Sequence, residues 1–171
     1  MLAVSHRRDG STPMALEHIT SVAALVAILG TAVVYGTDVF CAIVLRPALS
    51  AVDDRALVAV MGSVHRYGDR RMPVPGALGV LATAATLALA VASAQWVQAT
   101  AALIALALLL VWLALYAGVC LPINRRLTAA ADGGEPLPDG RALQGKWDRV
   151  IGVRAVLQGV AMAALCLALI S

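Results

Sequence analysis

Residues Met72 to Asn124 read MPVPGALGVLATAATLALAVASAQWVQATAALIALALLLVWLALYAGVCLPIN, 53 positions without one Asp, Glu, Lys or Arg. A helical membrane crossing takes about 20 apolar residues. The run is therefore long enough for two crossings and the turn between them. That turn is Gln95-Trp96-Val97-Gln98, with Trp96 suited to a membrane interface. On either side, Ile19–Thr37 and Ala155–Ser171 are two further uncharged runs. Four spans result, at about 19–45, 76–94, 100–121 and 150–170.

Composition agrees. Of 171 residues, 61% are hydrophobic and 13% charged, against about 45–50% and about 25% in soluble domains. A soluble fold this small would leave much of that apolar surface in water. Soluble enzymes, nucleic-acid binders and disordered chains are disfavoured, and the net charge of +3 is too dispersed for nucleic acid. The expected class is all-α: a single polytopic membrane domain over 1–171, built as an up-down four-helix bundle. The expected surroundings are the lipid bilayer, with a homo-oligomer left open.

The punctuation sets the remaining boundaries. Span 1 is expected to end at Arg46-Pro47 and span 3 at Pro122, since proline interrupts a helix interior. Between spans 1 and 2, residues 51–71 place Leu57, Val60, Met61, Val64 and Tyr67 at helical spacing, as in an amphipathic helix on a membrane surface. Residues 128–145 carry Gly133-Gly134, Pro136, Pro138 and Gly140 and read as a polar loop. Ile19–Leu45 is too long for the apolar core of a signal peptide, so it reads as a retained span. Met14 is a second candidate start beside Met1.

Basic residues orient the bundle. Loops 46–75 and 122–149 each carry five Lys or Arg, against only Arg7 and Arg8 on the other side. Both loops are then expected in the cytoplasm and both termini outside. Twelve arginines to one lysine, with 35 alanines, suggest a GC-rich bacterial genome and a bacterial cytoplasmic membrane.

The unusual polar residues gather at the helix ends on the loop side. Tyr35 and Asp38 come from span 1, and His65, Asp69 and Arg70 from the helix after it. Tyr116, Asn124 and Arg125 come from span 3, and Trp147, Arg154 and Gln158 from span 4. A carboxylate inside the hydrocarbon costs at least about 2.5–3.5 kcal/mol, so Asp38 needs a partner, and Arg154 is the natural one. That pair would serve either catalysis or helix packing. Trp147, Ile151, Arg154 and Gln158 form one stripe that would line a cavity. The competing reading anchors Trp147 at the headgroups and lets Arg154 snorkel outward.

His65 and Asp69 lie one turn apart, so Asp38, His65 and Asp69 are candidate ligands of a single metal ion. No His-x-x-x-His supports them, and His65 could equally rest against headgroups. An imidazole titrates near neutral pH, so His65 is also a candidate base. No paired haem histidines, Ser-His-Asp set or phosphate loop is present. Cys41, Cys120 and Cys166 read as small buried apolar residues. The glycine pairs Gly30/Gly36, Gly76/Gly79 and Gly152/Gly159 read as close-approach points between helices.

Three segments carry a resemblance: YGTDVFCAIVLRPAL at the end of span 1, GVCLPINRRL at the end of span 3 and KWDRVIGVR at the start of span 4. Together they resemble the anthrone-oxygenase-like family of small four-span membrane proteins. The matching positions are Pro47, Pro122, Asn124, Trp147 and Arg154. The resemblance implies a helical bundle and, as in fungal relatives, O₂-dependent oxidation of an anthrone without an obvious cofactor. Family members often carry a histidine four residues after the tryptophan; here that position is Ile151. Asp38 or His65 would then have to act as base.

Two function classes lead. One is a membrane oxidoreductase or oxygenase acting with O₂ on a small apolar, aromatic substrate. Its expected catalytic residues are Asp38, His65, Arg154 and Asn124, and its expected substrate-binding residues are Tyr35, Tyr116, Trp147 and Gln158. The other is a non-catalytic module binding a lipid, a hydrophobic ligand or a partner subunit. A transporter is a third reading, weakened by the absence of paired broken helices.

Overall fold

The structure, a computed structural model, describes residues 11–134 and 136–171. Arg7, Arg8 and His6 lie outside the described residues. Among the described residues every regular element is helical. Ala and Leu favour helix, and a backbone crossing lipid must satisfy its own hydrogen bonds.

Helix α1 (Ser11–Phe40) passes through a π-turn (Cys41–Leu45) into α2 (Arg46–Ser50). After a short bend, α3 (Asp54–Arg71) starts at Asp53, whose carboxylate accepts the Ala56 N–H at 2.8 Å. This cap satisfies one of the otherwise unpaired amides of the first turn. Met72 separates α3 from α4 (Pro73–Ala92). A tight turn with Ala94 at φ 54° leads into α5 (Trp96–Leu115). A second π-turn (Tyr116–Cys120) joins α5 to α6 (Leu121–Gly133), and α7 (Gly140–Ile170) closes the chain.

Four segments are long and apolar enough to cross a membrane: Leu16–Ser50, Pro73–Ala92, Trp96–Gly133 and Gly140–Ile170. Helices α1, α4, α5 and α7 pack in a ring, each against its two neighbours. This is the up-down four-helix bundle expected from sequence.

Two expected helix ends are corrected. Neither Pro47 nor Pro122 stops its helix. Each comes directly after a π-turn, with Arg46 N–H bonding Cys41 O and Leu121 N–H bonding Tyr116 O. A proline ring clashes with the carbonyl four residues back and offers no N–H. One wide turn makes room for the ring, and the helix continues. Trp96–Gly133 is thus 38 residues long, about 57 Å at 1.5 Å per residue, nearly twice a hydrocarbon core of about 30 Å.

The polar loop is also shorter than expected. Helix α6 runs to Gly133, Gly134 caps it at φ 65°, and α7 begins at Gly140. Packing holds residues 121–133 helical: Leu127 is fully buried, and Thr128 Oγ1 donates to Gly62 O at 3.1 Å.

Helix α3 is amphipathic, but protein covers the face carrying Leu57, Val58, Met61 and His65, against α6 and the start of α7. Val60, Val64 and Tyr67, expected on the same stripe, are exposed. Helix α4 packs instead on α1 and α5, so the chain changes neighbours at Met72. Two packed cores result. One joins α3, α6 and the first half of α7, including Leu57, Met61, Leu127, Trp147 and Ile151. The other, rich in alanine, joins α1, α4, α5 and the second half of α7. The alanines and the glycine contact between Gly30 and Gly79 allow close helix approach. Gly36 and Gly152, expected to do the same, meet nothing within 4 Å.

Candidate functional site

Between the two cores lies a cavity of about 420 Å³, within the usual range of small-molecule sites. Most of its wall is apolar, with Val34, Ala77, Val80, Leu81 and Leu113 among the lining. The polar side chains come from α1, α3, α5 with the π-turn after it, α6 and α7, whereas α4 contributes only apolar wall. Both π-turns start here, since Cys41 and Tyr116 line the cavity.

Asp38 and Arg154, 3% and 5% exposed, form the expected pair. Arg154 Nη2 donates to Asp38 Oδ1 at 3.2 Å and lies 3.1 Å from Oδ2. Gln158 Nε2 donates to Oδ2 at 2.6 Å. The Arg154 guanidinium also lies 5.6 Å from the Trp112 ring and 5.5 Å from that of Tyr116, within cation–π range. Arg154 therefore does not snorkel outward.

A second hydrogen-bonded group sits beside it. Asp69 Oδ1 accepts the Tyr116 hydroxyl at 2.9 Å and Asn124 Nδ2 at 2.8 Å. His65 is 4% exposed and packs on Trp147, ring centroids 5.3 Å apart. Neither residue rests against headgroups. Burial pushes the His65 imidazole down to about 4, against a smaller upward pull from Asp69 and a further push down from Arg154. At pH 7 the ring is neutral.

Five buried polar atoms on cavity-lining residues have no hydrogen-bond partner among the described residues: His65 Nε2, Trp112 Nε1, Trp147 Nε1, Asn124 Oδ1 and Arg154 Nε. Buried polar groups are nearly always paired, so these unpaired ones make the cavity the candidate site.

Two expectations are corrected. Among the described residues no three His, Cys, Asp or Glu side chains could hold a metal ion. Asp38 is engaged by Arg154 and Gln158, and Asp69 by Tyr116 and Asn124, so neither joins His65 around a common point. Tyr35 does not line the cavity; its ring faces the backbone of Gly159. Gln158 touches Asp38 from behind and is likewise absent from the wall.

Trp112 is the main residue the sequence reading missed. Its ring reaches over Gly76, where a Cβ would sit 3.2 Å from Cη2. A tryptophan one turn before Tyr116 within an Ala/Leu span was the available signal. Comparison with family models, curated proteins and solved structures finds no match to this chain.

Proposed function

We propose that the cavity binds a small, mainly apolar molecule with one oxygen-bearing end, and that the protein oxidises it with O₂. The observation that carries the binding is the set of unpaired polar atoms on His65, Trp112, Trp147, Asn124 and Arg154 around a mainly apolar space. The chemistry starts from a C–H beside a carbonyl. His65 takes the proton, and the electron pair moves onto the carbonyl oxygen, which Arg154 stabilises; Asn124, expected to help, gives its amide N–H to Asp69 and turns an acceptor oxygen to the site. The carbanion form bonds O₂ at carbon. The resulting hydroperoxide regains the proton and loses water, so CH₂ plus O₂ gives C=O plus H₂O. We also place both arginine-rich loops in the cytoplasm of a bacterial cell, with both termini outside, from the bias of basic residues.

One observation favours binding without turnover. His65 is a weak base at a value near 4, and Asp38 already balances the charge of Arg154. A single preparation tests both readings. Mass spectrometry of molecules that co-purify with the detergent-solubilised protein supplies the candidate. That molecule is then incubated with and without O₂. Oxidation only with O₂, lost in His65→Gln, supports the enzyme. Equal consumption without O₂ refutes the oxygenase mechanism. Retention without conversion leaves the binding module, and no retained small molecule refutes the site itself.

A further inference from the structure

Along the bundle axis the cavity is flanked by the two buried cores. Toward the arginine-rich loops, Leu57, Met61, Leu127 and Ile151 are buried in one packed cluster. Toward the termini, Ala27, Ala105, Leu109 and Leu165 are buried in the other. A molecule reaching Arg154 from water along the axis would have to pass through one of these cores.

The side is different. Pro73, Ala77 and Leu81 lie one turn apart on α4, line the cavity and are exposed, Leu81 at 69%. Across from them on α5, Leu113 is also both lining and exposed. Val64 of α3 completes the rim. None of these five residues is polar. Leu81 and Leu113 lie within segments apolar enough to cross a membrane. The gap arises where the chain changes neighbours at Met72: α3 leans on α6 while α4 stays on α1 and α5. One other lining residue, Thr37, is exposed on the seam between α1 and α4, where Met72 Sδ lies 3.9 Å from its hydroxyl.

We infer that the ligand enters sideways from the hydrocarbon, between α4 and α5, and that the site accepts a neutral single-chain amphiphile. Its head lies against Arg154 and His65, and its chain passes Ala77, Leu81 and Leu113 into the lipid. This rests on the cavity being a ligand site. The polar wall argues for a neutral head. Arg154 is matched by Asp38, and Asp69 adds a second carboxylate, so an anionic head would meet no net positive charge. The free Arg154 and Trp147 N–H groups call for an acceptor oxygen, and Asn124 Oδ1 for a donor; a hydroxyl supplies both. The exposed edge is apolar, and the half-buried Asp69 and Tyr116 behind it already hydrogen-bond each other, so a passing chain desolvates few polar groups. Chain length beyond the gap is then not selected, whereas bulk at the rim is.

The test uses the full chain in phosphatidylcholine vesicles and two photoreactive hexadecanol probes. One carries a diazirine near the hydroxyl, the other near the chain end. The head probe is expected to label peptides containing Asp38, His65 or Trp112. Closing the rim with Ala77→Trp, or separately Leu81→Trp, should cut that labelling at least tenfold, while tail-probe labelling of the outer helix faces persists. Both positions are exposed, so a folded variant is expected, and circular dichroism with thermal melting selects the one used. Val33→Trp, exposed one turn from Thr37 on α1 and not lining the cavity, should leave head labelling within twofold. Unchanged cavity labelling with the rim closed overturns the lateral route and leaves the binding site standing. Loss of labelling in Val33→Trp alone moves the route to the α1 side and overturns the inference. No cavity labelling in the unaltered protein overturns both the route and the binding of such an amphiphile.

Discussion

Removing Arg154 tests the site most directly. Asp38 receives one close donor from Gln158 at 2.6 Å and two contacts from Arg154 at 3.1–3.2 Å. In Arg154→Met the carboxylate keeps Gln158 alone while remaining buried. Breaking a buried pair from one side typically costs about 3–5 kcal/mol. The reverse change is milder. In Asp38→Asn the guanidinium keeps both ring faces, at 5.5 and 5.6 Å, each worth about 0.5–2 kcal/mol. Its expected cost is about 2–3 kcal/mol, less than a bare unpaired charge. The double variant carries no charge there, so it should be more stable than Arg154→Met alone, with a coupling of about 2–3 kcal/mol. The assay is reversible unfolding in mixed micelles at rising SDS fraction, monitored by circular dichroism. A cost below about 1 kcal/mol for Arg154→Met, or strictly additive single changes, would show that the pair is not buried and coupled as described.

Three further outcomes are expected. His65 is held near 4 in the folded chain against an ordinary 6.5, so its neutral form stabilises the fold. Stability should be full above pH 6.5 and fall as pH drops toward 4, by about 3 kcal/mol in all; His65→Gln should flatten that part of a pH–stability curve. Gly30→Ala sets a Cβ 2.8 Å from Gly79 N and 2.9 Å from Pro75 O, both backbone atoms, and should cost about 1–3 kcal/mol. Gly36→Ala, with nothing within 4 Å, should be neutral or stabilising by up to about 1 kcal/mol; the same unfolding titration compares the two. In a cysteine-free background in intact bacterial cells, a thiol at Ser171 should react with a membrane-impermeant maleimide and one at Arg55 should not; the opposite pattern reverses the orientation.

The prolines show where sequence reading and structure part. Arg46-Pro47 and Leu121-Pro122 look like helix ends, because a proline removes one hydrogen bond and adds a clash. Whether a chain stops or widens by one residue depends on how the residues beyond the proline pack. Here Leu49, Ile123, Asn124 and Leu127 are all buried against other helices, and that packing outweighs the local defect. The same applies to residues 128–133, expected as loop from the glycines and prolines that follow them, yet helical against α3.

Sequence alone pointed to an apolar surrounding, counted four crossings and named Arg154 as the natural partner of Asp38, with outward snorkelling as the alternative that the structure removed. Each stems from one strong cost: charge in hydrocarbon is expensive, so its absence marks spans and its rare presence demands a partner. Tertiary structure alone decided which polar residues share a cavity. Tyr35 and Asp38 lie three residues apart on one helix, yet one meets Gly159 and the other Arg154. Asp69, a candidate metal ligand by spacing, instead accepts hydrogen bonds from a helix more than forty residues away. The direction of a side chain around its helix, and the lean of α3 away from α4, are set by packing between distant segments. No local pattern records them, and they create the cavity and its open side.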